Sequence, residues 1–458
     1  MDSVAAAGAR SAHGPAGSRA RSTGSEMSSA QSAALAGWAI WLTVAWTAAG
    51  TTIYLLTPKI APAILALTVV APLLWLGTET RHLRPFHASG LAIVLGVSVL
   101  YLLINASWSL ARADAYRSVL TFIMAVSALF IVVAAHRALH ETALRAMLLG
   151  LLAGYIAGAA LLCLLFVNEY AILIQLMNAI PGWRYEVTWA TLQNGNIVAL
   201  PEHYLNRHAA GLVLLLWPAV LAAVTLSDSA KMRTYLLLAL TPAAAAILLS
   251  NHATSQVALI GGAVMLLLYR FAPRIGSGAL TVAWVVACVA AVPIVFAMYQ
   301  AHLQTNESLF WSARHRLVIW HHTAQKITEA PLLGAGVSTA RAMDTLEQST
   351  RVFEPGTQIP RETNIHAHNA YVQVWYEAGA VGVILLLSIG LLTIGAMSRT
   401  PPWVQPFLFA TFASQALVAA FGFSVWAPWL LSSFVLAAIF ASPAVALALR
   451  DAEARRPG

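Results

Sequence analysis

The chain has 458 residues, 59% of them hydrophobic and only 10% charged, with a mean hydropathy of +0.73. A soluble protein carries about 25% charged residues, so this composition excludes a soluble globular fold and predicts an all-α polytopic membrane protein. The formal charge of +8 does not point to nucleic acid, because membrane proteins collect Lys and Arg in cytoplasmic loops and no zinc-finger, helix-turn-helix or basic-aromatic pattern accompanies it.

Residues 1–33 are rich in Ala, Gly and Ser, with Arg10, Arg19 and Arg21 and no apolar core. They read as a disordered cytoplasmic tail, with Met27 as a second candidate start and without the apolar stretch of a secretory signal. A bilayer core takes about 20 apolar residues per helix. Runs of that kind lie near 35–56, 60–76, 88–109, 116–135, 145–167, 208–226, 233–250, 253–270, 278–299, 370–397, 403–423 and 427–449, predicting about 12 transmembrane helices. The turn Ser250-Asn251-His252 is the shortest of the boundaries. Cys163 and Cys288 both fall in apolar runs and read as buried thiols, with no disulfide.

Orientation follows from the basic residues. With the N-terminus inside, 15 of the 26 Lys and Arg fall on the inner side, among them Arg81, Arg84, Arg137, Arg145, Lys231 and Arg450. Both termini are then cytoplasmic, including a short tail at 450–458. Nine spans fill 34–299, three fill 370–449, and long outer loops lie at about 168–207 and 300–369. In a bacterium this is an inner-membrane protein with a large periplasmic loop domain. Almost no ionisable residue falls inside a span, which argues against an ion-coupled transporter.

The first outer loop ends in Asn206-Arg207-His208, at the mouth of the sixth span; the arginine either anchors at the interface or serves a site. Arg112 and Arg117 stand on a short outer loop. In the second long loop, Leu317, Trp320, Ala324 and Ile327 follow i, i+3, i+7, i+10 spacing, predicting an amphipathic helix along the membrane surface. Arg314 and Arg316 begin it, at the dipole end where cations are disfavoured. Either they reach lipid phosphates or an anionic ligand removes the penalty. Pro331 ends this helix. Gly334 and Gly336 then form a tight turn able to present backbone N–H groups to an anion.

The loop closes on Asn364-Ile-His366-Ala-His368-Asn369-Ala-Tyr371-Val-Gln373, the densest polar cluster in the chain, where water meets lipid. His366-x-His368 is a known zinc-ligand spacing, but no third ligand of suitable type stands nearby. Alternatively His368 only caps the helix that follows. Tyr371 and Trp375 at i, i+4 read as interfacial belt aromatics, with glycan stacking as the alternative.

Taken together, Asn206-Arg207 opening a mid-chain span, Arg316-x-x-x-Trp320, Pro331-Leu-Leu-Gly334-Ala-Gly336, His366-Ala-His368-Asn369-x-x-x-Gln373 and Glu377-Ala-Gly379-x-x-Gly382 resemble the O-antigen ligase family. Its superfamily also holds O-antigen polymerases and protein O-oligosaccharyltransferases. One departure is plain: such proteins often carry a Ser-Arg pair after the preceding span, and Ser250-Asn-His-Ala-Thr-Ser255-Gln256 lacks the arginine. The resemblance implies a GT-C-like membrane fold. It also implies a glycosyltransferase that moves a glycan from undecaprenyl pyrophosphate to the lipid A core.

That reaction needs a base for the acceptor hydroxyl and positive charge for the leaving group. His368 is the candidate base, because an unperturbed imidazole titrates near ~6.5. Arg207 and Arg316 are the candidates for the pyrophosphate, with Arg314, Arg112 and Arg117 adding to the field. Asn369, Gln373, Asn206 and His366 are candidates for binding substrate. Glu377 either holds the imidazole or stabilises the loop's return to the membrane, and Gly334, Gly336 and Trp320 are structural. Outer carboxylates Glu307, Glu329, Asp344, Glu347, Glu354 and Glu362 are scattered, with no Asp-x-Asp or Glu-x-Glu pair. The expectation is therefore a metal-independent transferase without cofactor. A polymerase or protein O-oligosaccharyltransferase using the same donor is the nearest alternative; a lipid-linked sugar flippase is the alternative from another class.

Overall fold

A chain in hydrocarbon must satisfy its own backbone hydrogen bonds, so apolar runs fold as helices. The computed structural model describes residues 29–70, 72, 75, 89–180, 190–201, 203–347, 352–355, 357–362 and 366–455. Its helices are α1 (Ser29–Leu56), α2 (Ala61–Thr68), α3 (Gly90–Asn105), α4 (Arg112–Ala138), α5 (Glu141–Val167), α6 (Ala171–Ala179), α7 (Asn206–Leu226), α8 (Ala230–Leu238), α9 (Thr241–Leu249), α10 (Ala253–Phe271), α11 (Pro273–Val289), α12 (Ala291–Gln300), α13 (Trp311–Lys326), α14 (Thr339–Glu347), α15 (Ala370–Met397), α16 (Gln405–Phe421) and α17 (Pro428–Ala454). Strands β1 (Thr191–Gln193) and β2 (Asn196–Ala199) form one antiparallel hairpin, and β3 (Val352–Phe353) and β4 (Pro360–Arg361) another. The chain divides into two compact units, Met1–Ala39 and Ile40–Gly458. Among described residues the first holds only the start of α1. The tail expected at 1–28, the inner-loop residues Arg81 and Arg84, and Asn364 at the head of the histidine motif lie outside the described residues.

The all-α polytopic membrane fold expected from composition is borne out. Against the expectation of about twelve spans, nine helices among the described residues are long and apolar enough to cross a membrane, or ten if one bent pair counts as a span. That pair is α11 and α12, which bend by 73°. Pro293 has no N–H to offer the Val289 carbonyl, so the helix breaks there. The runs expected at 60–76 and 403–423 give only the short apolar helices Pro58–Thr68 and Gln405–Phe421. Pro58, Pro62 and Pro406 sit at their first turns. The break between α9 and α10 falls at Ser250–His252, as the sequence indicates.

Helix α7 is the central span, with 78% of its most apolar window buried; it meets α5, α16 and α17, while α10 lies along α16 and α15 against α3 and α11. A second apolar cluster joins Trp284, Leu317, Trp320, Tyr371 and Phe409 beneath the long loop. Here the structure corrects two expectations. Leu317, Trp320, Ala324 and Ile327 are buried as the periodicity implies, but so are Val318, Ile319 and Thr323. Helix α13 is thus embedded against α12 and α15, and its apolar stripe faces protein. Tyr371 is likewise buried, its hydroxyl donating to Ala416 O at 3.2 Å. Trp375 Nε1 donates to Cys288 O at 2.8 Å, so neither is a lipid-facing belt aromatic.

The glycine turn has a different role from the one its composition suggests. Helix α15 is broken at Gly379, where φ is 61° and ψ −166°. The freed backbone groups must find partners, and the turn supplies them. Ala335 N donates to Tyr376 O and Gly336 N to Glu377 O, each at 2.9 Å, while Ala380 N donates to Pro331 O at 2.9 Å. The Gly334 N–H goes to Ala330 O at 2.9 Å, and the Val337 N–H to Asn105 Oδ1 at 2.8 Å. These amides are spent on the broken helix and are not presented to an anion. Gly336 has φ +101°, and a Cβ there would lie 2.5 Å from Ser109 Cα; a Cβ on Gly379 would lie 2.4 Å from Leu332 O.

Candidate active site

The stretch between β4 and α15 carries His368. Its Nδ1 lies 3.0 Å from Gly422 O. A carbonyl only accepts, so Nδ1 carries the proton and Nε2 keeps its lone pair. His368 has φ 52°, a left-handed conformation that costs a side-chain-bearing residue about 1–3 kcal/mol, so the surrounding structure imposes this orientation. Asn369 follows as the N-cap of α15, its side chain accepting from Tyr371 N at 3.0 Å and Val372 N at 3.1 Å. Such a cap contributes about 1 kcal/mol, and it fixes the backbone next to the histidine. The capping that the sequence left as an alternative for His368 therefore belongs to Asn369.

Three other elements converge on the histidines. The rings of His366 and His368 are 4.1 Å apart, centroid to centroid. Burial holds His366 well below its ordinary pKa, and the neighbouring His368, Arg341, Arg207 and Arg316 push it further down. Burial also lowers His368, to about 4; the Gly422 carbonyl opposes the fall, and Arg316 and His315 add to it. Arg207 opens α7, Arg316 lies on α13 and Arg341 on α14, so guanidinium groups from three helices act on one imidazole pair. Burial lowers Arg316 as well, yet a guanidinium stays charged. Among the described residues, buried Arg207 Nε, Arg314 Nε, His315 Nε2 and His366 Nε2 make no hydrogen bond. Unsatisfied buried polar groups cost about 1–3 kcal/mol each. Arginine forks beside imidazoles suit a ligand that is anionic and rich in hydroxyls.

The remaining predicted residues divide. Gln373 is buried and committed to protein: Nε2 donates to Glu377 Oε2 and Ser424 Oγ, each at 3.1 Å, and Oε1 accepts from Val425 N at 3.2 Å. It is not free to hold a sugar, and neither is the capping oxygen of Asn369. Glu377 is fully buried. It accepts from Ala340 N at 2.9 Å, from Gln373 and from Trp426 Nε1; it holds the loop and does not touch the imidazole. Trp320 is buried beside Phe421, with ring centroids 6.2 Å apart. Asn206 opens α7 next to Arg207 and is half-buried. Arg112 and Arg117 stand apart, both exposed, and Arg117 pairs with Asp114 at 3.2 Å. Among the described residues no group of three or more His, Cys, Asp or Glu is arranged to hold a metal ion.

Sequence reasoning missed the segment Phe421–Trp426, which organises the site. Thr254 Oγ1 donates to Phe421 O at 2.9 Å, Gly422 O receives His368, Phe423 packs against His252 at 5.6 Å between ring centroids, and Ser424, Val425 and Trp426 engage Gln373 and Glu377. The segment reads as an apolar span end, Phe-Gly-Phe-Ser, whose function lies in a carbonyl. Arg341 was also missed, although the short helix α14 that carries it is amphipathic. His252 comes from the stretch that lacks the expected arginine. Its Nδ1 lies 2.7 Å from Ser255 Oγ, and burial followed by the charge of Arg316 lowers it to about 3.

Comparison with known proteins adds an independent line. Residues 236–387, about a third of the chain, match the sequence model of the family described as "O-Antigen ligase". A "Putative polysaccharide ligase" of Rickettsia conorii is 24% identical over 237 residues, covering 50% of this chain and 55% of the relative. Proteins of the same description from Rickettsia felis and Rickettsia bellii are 27% and 28% identical over 125 and 127 residues, each stretch covering 27% of this chain and 30% of the relative. The chain thus spans about half the length of the first of these curated relatives and less than a third of the other two. The family resemblance carried by the sequence motifs is borne out.

Proposed function

Because residues 236–387 match the O-antigen ligase family model, we propose that this chain is a glycosyltransferase that joins a glycan from undecaprenyl pyrophosphate to a hydroxyl of the lipid A core at the periplasmic face of the inner membrane. The observation that carries the reading is the locked imidazole of His368, with Nδ1–H held by Gly422 O and the field of Arg316 upon it. The acceptor hydroxyl gives its proton to Nε2 as its oxygen bonds the anomeric carbon. The bond from that carbon to the pyrophosphate oxygen breaks, and undecaprenyl pyrophosphate leaves as an anion. Arg207 and Arg316 neutralise the charge that develops on it, where partial shielding from water makes such charges act strongly.

At neutral pH the depressed basicity of His368 keeps the ring in its accepting form. An anionic donor between the arginines offsets their field and restores part of that basicity. The reading requires the site to face the periplasm, with both termini cytoplasmic, as the basic-residue distribution implies. It requires no metal, because arginines take the part of a divalent cation. A polymerase or protein O-oligosaccharyltransferase uses the same donor chemistry and differs in acceptor; a flippase needs no base. The test is incubation of the purified protein with lipid-linked glycan and lipid A core. Conjugate formation that is lost in His368→Ala supports the ligase. Elongated donor-linked chains alone indicate a polymerase, and translocation unaffected by the substitution indicates a flippase.

A further inference from the structure

The first turn of α13 carries a feature that the proposed chemistry leaves unused. Trp311 is 55% exposed, yet its ring does not wave free. It lies on the His315 ring with centroids 4.7 Å apart and planes 29° from parallel. The two residues are four apart and share one face of the helix. His315 in turn reaches to 3.8 Å from Glu362 Oε1, and its Nε2 is buried without a hydrogen bond among the described residues. Burial and then Arg316 hold His315 below its ordinary pKa, so the contact with Glu362 joins a neutral ring to a carboxylate. Protonation of His315 and protonation of His368 oppose one another. One helical turn separates the open aromatic face of Trp311 from His315.

We propose that Trp311 is the floor of a saccharide subsite, on whose open face the apolar side of a pyranose ring stacks while the Arg314 guanidinium, three residues along the helix, addresses its hydroxyls. An aromatic plane fixed from behind by the His315 ring, open on its outer side and followed three residues on by a guanidinium, suits a ligand with one C–H face and an equatorial rim of hydroxyls. A lipid tail has no use for that polar rim. Phe310, 83% exposed on the adjoining residue, stands in no ring contact with His315 and provides the control for membrane anchoring. The inference rests on the glycan-transfer reading. The sugar belongs either to the acceptor or to the donor glycan, and the experiment separates the two.

The test uses the full chain in nanodiscs. Saturation-transfer NMR is recorded with delipidated lipopolysaccharide core oligosaccharide, and separately with the free oligosaccharide released from the donor by mild acid. The subsite predicts saturation of one of these by wild type and by His368→Ala alike. Trp311→Ala weakens that binding about tenfold, Trp311→Phe keeps most of it and Phe310→Ala leaves it unchanged. Which oligosaccharide responds assigns the subsite to acceptor or donor. Full binding by Trp311→Ala, absence of binding of both oligosaccharides to wild type, or equal loss in Phe310→Ala would each overturn the subsite. Saturation that depends on Trp311 in a protein forming no conjugate would instead overturn the ligase reading and leave the subsite standing.

Discussion

His368 and Gly422, 54 residues apart, are joined by a hydrogen bond of 3.0 Å from the imidazole Nδ1 to the carbonyl oxygen. The bond selects one tautomer and one ring orientation, so Nε2 is the only ring nitrogen available to accept a proton. Removing the imidazole as His368→Ala should lower the transfer rate about 10²–10⁴-fold, the usual contribution of general base catalysis. Donor affinity, held mainly by arginines, should change little. Single-turnover rates and donor binding by the same preparation check the two halves of this statement.

The pH dependence follows from the same ring. The base works neutral, and burial has moved its pKa down to about 4 from about 6.5. Protonation, and with it loss of activity, should therefore begin well below neutrality. The profile of kcat/KM, which reports the free enzyme, should stay flat as pH falls from 7 to about 5 and decline near 4. A descending limb centred at the ordinary imidazole value would mean that the catalytic ring is solvated, or is another residue.

Arg207 and Arg316 approach the histidines from different helices, and each should be needed. Alanine at either position should reduce kcat about 10²–10³-fold, the range seen when one stabilising donor is removed from a shielded site. Lysine should recover part of it, keeping charge while losing the bidentate fork. Arg112 and Arg117 are the contrast: exposed, and in the second case already paired with Asp114, they should tolerate alanine with nearly normal turnover. Activity of all active forms should survive EDTA, and a loss restored by Mg²⁺ or Zn²⁺ would refute arginine-only stabilisation.

Glu377 gathers three donors, from Ala340, Gln373 and Trp426. Glu377→Gln keeps the shape but turns an amide NH₂ toward one of those donors, so it should loosen Ser424–Trp426 and with it the Gly422 carbonyl. The expected signature is a fall in kcat at nearly unchanged donor affinity, accompanied by a lower melting temperature. Gly336→Ala should lower stability by about 1–3 kcal/mol through overpacking alone, since its Cβ would meet Ser109 Cα at 2.5 Å; thermal unfolding in detergent measures it.

Much of the membrane architecture was legible from composition and run length, because hydrocarbon imposes a simple requirement on the backbone. Among the described residues the count of spans departs from the expectation where the helix breaks ahead of Pro293 and where Pro58–Thr68 and Gln405–Phe421 stay short. The candidate base and arginines stood out because charged and imidazole groups are rare in this chain and their spacing matched a family. What could not be read was backbone chemistry. Gly334 and Gly336 look like an anion nest but serve a broken helix, and Gly422 looks like a span end but orients an imidazole. Gln373 looked like a sugar ligand because its partners Ser424 and Val425 lie far along the chain. Arg341 sits on a short amphipathic helix, but its place beside the histidines depends on where Glu377 fixes Ala340.

The account depends on one juxtaposition, the accepting nitrogen of His368 beside Arg207 and Arg316 around a single pyrophosphate-linked sugar. A cryo-electron microscopy structure of the protein with bound undecaprenyl-pyrophosphate glycan measures it directly. The predicted result is a pyrophosphate within hydrogen-bonding distance of both guanidinium groups, with the anomeric carbon on the side of His368 Nε2. A donor whose pyrophosphate touches neither arginine, or whose anomeric carbon lies on the far side from His368, would contradict it.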